Sequence, residues 1–280
     1  MLRDEAMVVR LSISRWTGRK FDKKVTQKVA DDYGASVDVG RYNKLLVAGD
    51  ALKAIVQAVS GARTFHYENT LSWDDFGGRL LPSANFATYS KRMRELRSDF
   101  EGAVDTFVEN YHEYREEARR RLNGMFNEDD YPYRVEIKTK FAFAVDIEPV
   151  PDKDDFRIQV QSRDMGRIKK ELESNLKDRT AEAMKELFGR VHKAVGHLAE
   201  KLSDGDAIFR DSLVDNVIEL ANLLPKLNVT NDPKLNGLIA EMKKKLCVFE
   251  PQELREDVKV REHAADQAKA ILDKMAGYVG

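Results

Sequence analysis

The sequence lacks the features that identify several large classes of protein. It contains one cysteine, Cys247, so it cannot form an internal disulfide, which is typical of proteins in a reducing cytoplasm. No apolar run approaches the roughly 18 residues that a membrane span needs. The first residues, MLRDEAMVVR, lack the apolar core of a signal peptide. We therefore expect a cytoplasmic protein with no membrane partner.

Motifs of the common enzyme classes are also missing. There is no glycine-rich phosphate loop, no nucleophile elbow and no paired cysteine motif. His192 and His197 lie five residues apart, so they do not share a helix face as histidines four residues apart would. Asp152, Asp154 and Asp155 lack the glycine and the distal glutamate of a calcium loop. The sequence therefore predicts a protein that is not an enzyme and holds no metal or cofactor.

What the chain does contain is a balance of charge and a substantial apolar fraction. Charged residues make up 34% of the 280 residues and hydrophobic residues 42%, and the net charge is −1. A chain of this length can bury a sizeable core, as one large domain or as two small ones.

The clearest pattern runs from residue 83 to residue 202 and consists of two long helices joined by alternating strands. After Pro82 and the capping residue Ser83, apolar residues from Phe86 to Met125 recur about every 3.5 residues, which predicts a long amphipathic helix. A second helix is predicted over residues 164–202, where the apolar steps are mostly four residues.

Between these helices the apolar period changes to two. Apolar residues alternate with charged ones from Val135 to Ile147, and the alternation resumes over residues 156–160 after a polar turn. This pattern predicts an antiparallel β-hairpin. An isolated hairpin is marginally stable in water, so its apolar face must pack on a helix, a strand or a partner.

The two ends of the chain are predicted to be shorter elements. A strand is expected over residues 7–14, a helix around Phe21, Val25 and Val29, and another helix over residues 45–59. Towards the carboxyl end, helices are expected over residues 207–224, ended by Pro225, over residues 233–246, and from Pro251 onwards.

Together these elements predict a mainly α fold with a small β component (α+β). We expect a long antiparallel helical pair that bears a β-hairpin and packs against N- and C-terminal helices. The corresponding division is a mixed N-terminal segment (1–82), the helix, hairpin and helix (83–202) and a C-terminal helical cap (203–280). All three could also form a single elongated domain.

Positive charge is concentrated near the amino terminus. Residues 1–65 carry 12 Lys and Arg against 7 Asp and Glu, whereas residues 66–132 carry 9 against 14. Cations release counterions from phosphate and aromatic rings stack on unpaired bases, so this mixture predicts a surface for single-stranded nucleic acid. The alternative is a solvated helix face whose charges meet acidic residues. The candidate residues are Arg15, Trp16, Arg19, Lys20, Lys23, Lys24, Arg41, Tyr42 and Lys44.

The apolar face of the predicted hairpin is a candidate contact surface. A slender helical pair tipped by a half-apolar hairpin offers apolar surface that a second copy or another protein would cover. We therefore expect a homo-oligomer. The candidate contact residues are Phe141, Phe143, Val145, Phe156 and Ile158.

The connection over residues 63–82 collects polar and aromatic side chains. Carboxylates beside a histidine could bind a metal or move protons. The alternative is a structural loop anchored by Trp73 and Phe76. The candidate residues of this loop are Arg63, His66, Trp73, Asp74, Asp75 and Arg79.

Several short strings resemble those of an uncharacterised family of tailed-bacteriophage proteins. They are residues 16–20 (WTGRK), 62–67 (ARTFHY), 79–82 (RLLP), 130–132 (DYP), 155–157 (DFR) and 208–213 (IFRDSL). The resemblance covers nearly the whole chain and implies expression in the host bacterial cytoplasm. The family carries no known activity, so no site residue is transferred from it.

Four functional hypotheses follow from these patterns. The leading one is a non-enzymatic phage protein that self-associates and binds a macromolecular partner, either a host or a phage protein. The second is a single-stranded nucleic-acid-binding accessory of phage replication or recombination. The third is an enzyme with a site at His66, Asp74 and Asp75, and the fourth is an inhibitor of a host defence protein.

Overall fold

A computed structural model describes residues 2–152, 162–205 and 207–277 of the chain. It confirms the predicted fold class, which is mainly α with a small β component.

Helices account for most of the described residues. They begin and end as the sequence pattern predicts in several places, above all in α7. The helices are α1 (Leu2–Glu5), α2 (Lys23–Tyr33), α3 (Lys53–Glu68), α4 (Ser83–Glu109), α5 (Tyr111–Leu122), α6 (Arg134–Ile137), α7 (Ser162–Ser203), α8 (Ser212–Leu227), α9 (Pro233–Lys245), α10 (Pro251–Glu256) and α11 (Val258–Met275).

The strands form one four-stranded antiparallel sheet and one two-stranded ribbon. The order in the sheet is β4-β5-β1-β6, and the ribbon pairs β2 with β3. The strands are β1 (Ala6–Ser14), β2 (Arg19–Phe21), β3 (Asn43–Leu45), β4 (Leu71–Ser72), β5 (Arg79–Pro82) and β6 (Ala142–Pro149).

Contacts between residues divide the chain into two compact units. Unit 1 contains Met1–Arg10, Tyr67–Tyr89 and Asp146–Gly280, and unit 2 contains Leu11–His66 and Ser90–Val145. Each unit is therefore assembled from stretches that are distant in the sequence, whereas the predicted division was consecutive.

The core of unit 1 is built around α7. This helix packs along α11 and α8 and contacts β4, while α8 also packs on α9 and β5. Burying a Val, Leu or Ile side chain completely contributes about 1.5–3 kcal/mol, so this core is a major source of stability. Fully buried members of the core include Leu187, Val191, Val195, Ala221, Leu224, Ala268 and Ile271.

The core of unit 2 is rich in aromatic rings. Phe107 of α4 lies near Trp16, Tyr111 and Phe141, with centroid distances of 5.9, 5.7 and 5.7 Å. Aromatic pairs at these distances add to the stabilisation that comes from burial alone. Around Phe107, the apolar stripe predicted for the first long helix therefore packs against other residues of unit 2.

The predicted hairpin is partly wrong, because residues 134–140 are helical. They form α6 and a 3-10 turn (Lys138–Lys140). Val135 is exposed and Ile137 fully buried, whereas an alternating strand would place both on one face. The strand begins at Ala142, and β6 lies beside β1 in the sheet. The expected second strand, residues 156–160, lies outside the described residues.

Three boundaries at the ends of the chain also differ from the prediction. The helix expected over residues 45–59 begins at Lys53, because Leu45 belongs to β3. The connection over residues 63–82 contains the end of α3 and the β4–β5 hairpin. Pro225 lies inside α8, which continues to Leu227.

Candidate nucleic-acid interface

The ribbon of unit 2 pairs two short strands that are far apart in the sequence. Arg19 lies opposite Leu45, Lys20 opposite Lys44, and Phe21 opposite Asn43. The chain enters the ribbon through Gly18, where a φ of +63° and the closeness of Val47 and Leu52 disfavour any side chain.

The cations predicted for this region mostly lie on its surface. The exposed ones form no ion pair with any carboxylate that the structure describes. Asp22, the acidic residue between the ribbon and α2, pairs with the buried Lys44 instead. The exposed cations are Arg15, Arg19, Lys20, Lys23, Lys24 and Arg41, together with Lys28 of α2.

One aromatic ring lies among these charges on the outer face of the ribbon. Phe21 is partly exposed, and the guanidinium of Arg41 lies 5.7 Å from the centre of its ring, within cation–π range. Asn43 and Leu45, on the same face, are exposed as well. The outer face therefore combines an accessible ring with positive charge.

Arg121 of α5 extends this surface and was missed in the sequence. Its Nη2 donates to the carbonyl oxygen of Leu45 at 3.0 Å, which places the guanidinium at the edge of β3. The nearby Arg115 and Arg119 are both paired with Glu128, whereas Arg121 has no carboxylate partner among the described residues. No sequence signal links residues 45 and 121.

Lys44 is the exception among the predicted cations, because its side chain is buried. Only 6% of it is exposed, and Nζ lies 2.6 Å from Asp130 and 3.3 Å from Asp22. Nζ also donates to the carbonyl oxygen of Met125 at 2.9 Å. This lysine is therefore unavailable to phosphate, and it joins β3 to the segment after α5.

The charges around Lys44 keep one another ionised. Burial lowers the pKa of Lys44, but the two carboxylates outweigh burial and leave the pKa raised. The pKa of Asp22 is lowered, first by the backbone N–H of Val25 and then, against burial, by Lys44. Like charges directly opposite each other weaken a ribbon. Because Asp22 and Asp130 compensate the charge of Lys44, the repulsion between Lys44 and Lys20 is reduced.

Trp16 and Tyr42 also have different environments. The Trp16 ring is half-buried against Phe107 and Tyr111, so it belongs to the aromatic core of unit 2. Tyr42 is exposed, and its backbone N–H donates to Oγ1 of Thr26 at 3.0 Å. Of the aromatic candidates, Tyr42 is the accessible one, and Phe21 takes the place of Trp16.

The loop candidates over residues 63–82 have structural contacts. Arg63 donates to the carbonyl oxygen of Ile13, and His66 is buried in α3. Trp73 is buried, with the guanidinium of Arg179 5.6 Å from its ring centre, whereas Phe76 is fully exposed in the turn. Trp73 is thus an anchor of the hairpin and Phe76 is not.

Asp74 shapes the turn between β4 and β5. Its Oδ1 accepts from the backbone N–H groups of Phe76 and Gly78, and its Oδ2 pairs with Arg10. Burial raises the pKa of Asp74, but these contacts outweigh it and the pKa is lowered. Asp75 is exposed in the same turn.

Arg79 joins a network that closes the end of α3. Its guanidinium pairs with Glu186 at 3.0 Å and also donates to Thr70. Arg190 pairs with the same Glu186 and donates to the carbonyl oxygens of Tyr67, Glu68 and Thr70. Orphan carbonyls at a helix end need such donors, so this network is structural.

Two of the predicted hairpin contacts are buried within unit 2. Phe141 packs on Phe107, and Phe143 lies 5.7 Å from Phe100. Val145 is half-buried. Phe141 and Phe143 are therefore not available as the contact surface that the sequence suggested, because α4 covers them. The remaining two, Phe156 and Ile158, lie outside the described residues.

The described residues also bear on metal binding and on membrane insertion. Within 2–152, 162–205 and 207–277, no group of three or more His, Cys, Asp and Glu side chains could hold a metal ion. Across that part of the chain, no helix has both the length and the apolar character to cross a membrane.

Comparisons with known proteins add no further constraint. No family model matches the sequence, and no curated protein or solved structure was found to match the chain.

Proposed function

We propose that the protein binds single-stranded nucleic acid through the ribbon surface of unit 2. We define this basic surface as Arg15, Arg19, Lys20, Phe21, Lys23, Lys24, Lys28, Arg41 and Arg121. The observation that carries the proposal is a group of exposed cations in and near the ribbon, without carboxylate partners among the described residues, one of which, Arg41, lies over the accessible ring of Phe21.

Two physical effects support this function. Each cation that meets a phosphate releases a condensed counterion, which is the main source of affinity in non-specific binding. An accessible ring adds base stacking, which tolerates any sequence because every base has a flat face. In the bacteriophage setting that the sequence resemblance implies, replication or recombination would supply the single strands.

Self-association was expected from apolar surface left uncovered on the hairpin. Phe141 and Phe143 are covered by α4 instead, so these two residues would not contribute to a homo-oligomer contact.

The test is the binding of a labelled oligothymidylate of about 20 nucleotides, followed by fluorescence anisotropy. The variant Arg19→Gln/Lys20→Gln/Arg41→Gln is expected to bind at least about tenfold more weakly at low salt. Its plot of log affinity against log salt should be less steep by about 2, since each lost phosphate contact contributes about 0.7.

A matched control removes the same charge from elsewhere on unit 2. The variant Lys91→Gln/Arg94→Gln/Lys140→Gln changes three exposed cations outside the basic surface. It should bind nearly as the unmodified protein does. Equal weakening in both variants would assign the effect to net charge, and absence of binding at about 50 mM salt would rule out the function.

A further inference from the structure

An apolar groove lies next to the basic surface in unit 2. It is formed by α2 and the chain that returns from it to β3, and its cavity is about 360 Å³. That volume is at the small end of the roughly 300–1,000 Å³ range of small-molecule sites. We define the apolar groove by Val29, Tyr33, Val37, Val39, Arg41 and Tyr42.

The shape of the apolar groove is set by backbone contacts at both ends. Gly34 ends α2 with φ of +61°, a left-handed conformation that turns the chain back along the helix. The N–H of Ala35 then donates to the carbonyl oxygen of Ala30 at 2.9 Å. At the other end, Tyr42 accepts from the N–H of Asp22 at 2.9 Å. These backbone contacts fix the path of the chain along the groove.

The side chains of the apolar groove are unusually open to solvent. Tyr33 is 84% exposed and Val39 is 74% exposed, while Val29, Val37 and Tyr42 are each exposed by more than 40%. A contiguous exposed apolar surface beside charged residues is typical of a binding site.

The apolar groove is continuous with the basic surface. Arg41 lines the groove and also stacks on Phe21, and Tyr42 follows Arg41 directly. A ligand with flat apolar groups attached to a negatively charged backbone matches both surfaces. An unpaired nucleotide has this chemistry, whereas the bases of a duplex are already stacked and paired.

We propose that the apolar groove is a subsite for one unstacked nucleobase, held beside Tyr33 and Tyr42 while Arg41 meets the adjacent phosphate. This inference rests on the proposed function and names the part of the ligand that the groove takes.

The subsite should show little preference among bases. Oγ1 of Thr26 already donates to the carbonyl oxygen of Asp22 and accepts from Tyr42. The hydroxyl of Ser36 donates to the carboxylate of Asp38. These two hydroxyls are engaged, Arg41 is assigned to the phosphate, and the rings of Tyr33 and Tyr42 are assigned to stacking, which does not distinguish base edges.

The test compares a single-stranded oligothymidylate with an abasic oligonucleotide of the same length. The two share their phosphates and differ only in the bases. We expect the unmodified protein to bind the oligothymidylate about tenfold more tightly. The variant Tyr33→Ala/Val39→Ala should reduce that difference to the part that stacking on Phe21 supplies, and should keep its affinity for the abasic strand.

The chain offers a matched control for this variant. Tyr133→Ala/Val135→Ala removes the same two residue types from positions that are 74% and 83% exposed in unit 2. This control should keep the tenfold difference. A second measurement uses the unmodified protein: light-induced crosslinking to a thiothymidine oligonucleotide should modify Tyr33 or Tyr42.

The outcomes separate the two proposals. Failure of both oligonucleotides to bind would overturn the proposed function itself. Equal binding of both to the unmodified protein, or crosslinks only outside the apolar groove, would overturn the subsite and leave phosphate binding standing. The variant Tyr33→Ala/Val39→Ala could instead change its oligomeric state and keep the difference in affinity between the two oligonucleotides. That result would assign the groove to a protein contact and would also overturn the subsite.

Discussion

Lys44 illustrates how the role of a single charged residue depends on its partners. A buried charge that loses its partner is far more costly than an exposed one, because the remaining charges stay out of water. We expect Lys44→Met to leave Asp22 and Asp130 uncompensated and to lower the free energy of unfolding by about 3 kcal/mol. Urea unfolding at neutral pH measures this loss.

The control is the residue directly across the ribbon. Lys20→Met changes an exposed side chain of the same type, so the free energy of unfolding should change by less than about 0.5 kcal/mol. Similar losses in the two variants would contradict the burial and pairing of Lys44.

The pH dependence of this comparison follows from the lowered pKa of Asp22. Its carboxylate contributes stability fully above the ordinary pKa of 3.8, and the contribution is lost as the pH falls through the lowered value. The difference in free energy of unfolding between the unmodified protein and Lys44→Met should therefore be largest at neutral pH and should become smaller below about pH 4.

Residue types could be predicted from the sequence, but their exposure could not. Lys20 and Lys44 belong to the same basic segment, and only the cross-strand register and the distant Asp130 make one of them buried. Trp16 has the same ambiguity, since its ring is held by Phe107 and Tyr111 from α4 and α5. Such contacts depend on tertiary structure, which no local pattern specifies.

At the scale of elements, the left-handed residue that ends α2 allows a direct test. Gly34→Ala places a side chain at φ of +61° and should lower the free energy of unfolding by about 1 kcal/mol. The control Gly61→Ala lies in the interior of α3 with open space around it, and there alanine should stabilise by about 0.5–1 kcal/mol. Thermal or urea unfolding measures both changes in the free energy of unfolding, which should have opposite signs.

Elements were predicted best where a periodic pattern is long or a boundary residue is specific. The helix α7 continues the predicted apolar stripe over its whole length, and Asp232 caps α9 through the N–H groups of Lys234 and Leu235. β1 forms where it was expected, but its burial alternates only from Leu11 to Ser14, because Ala6, Val8 and Val9 are all buried. In contrast, β2 and β3 have three residues each, which is too short for a period of two to be recognised.

The alternation around Val135 failed for a different reason. Tyr133 lies at the start of a helical turn. Its carbonyl oxygen accepts hydrogen bonds from the backbone N–H groups of Glu136 and Ile137, both at 2.9 Å. A single turn can bury Ile137 while Val135 stays exposed, and that local solution was favoured over an extended chain.

For the whole molecule, charge is divided between the two units. Unit 2 has a net charge of +4 and unit 1 of −5, although the chain is close to neutral. A near-neutral protein does not attract polyanions at long range, so binding depends on the local cations of unit 2. We expect a slope of log affinity against log salt of about −3 to −5, set by the basic surface alone.

Titration of the oligothymidylate between about 50 and 200 mM salt measures this slope. A slope steeper than about −7 would require phosphate contacts from cations outside the basic surface.

The hydrogen bond from Tyr131 to Leu46, which spans 85 residues of sequence, has a consequence for how the protein acquires its proposed site. Contacts of high sequence separation form only after a costly loop closure, and a ribbon of three-residue strands does not persist alone. We therefore expect that the ribbon of unit 2 is not formed early in synthesis, and that the basic surface is assembled only once residues 121–131 have been synthesised and have docked.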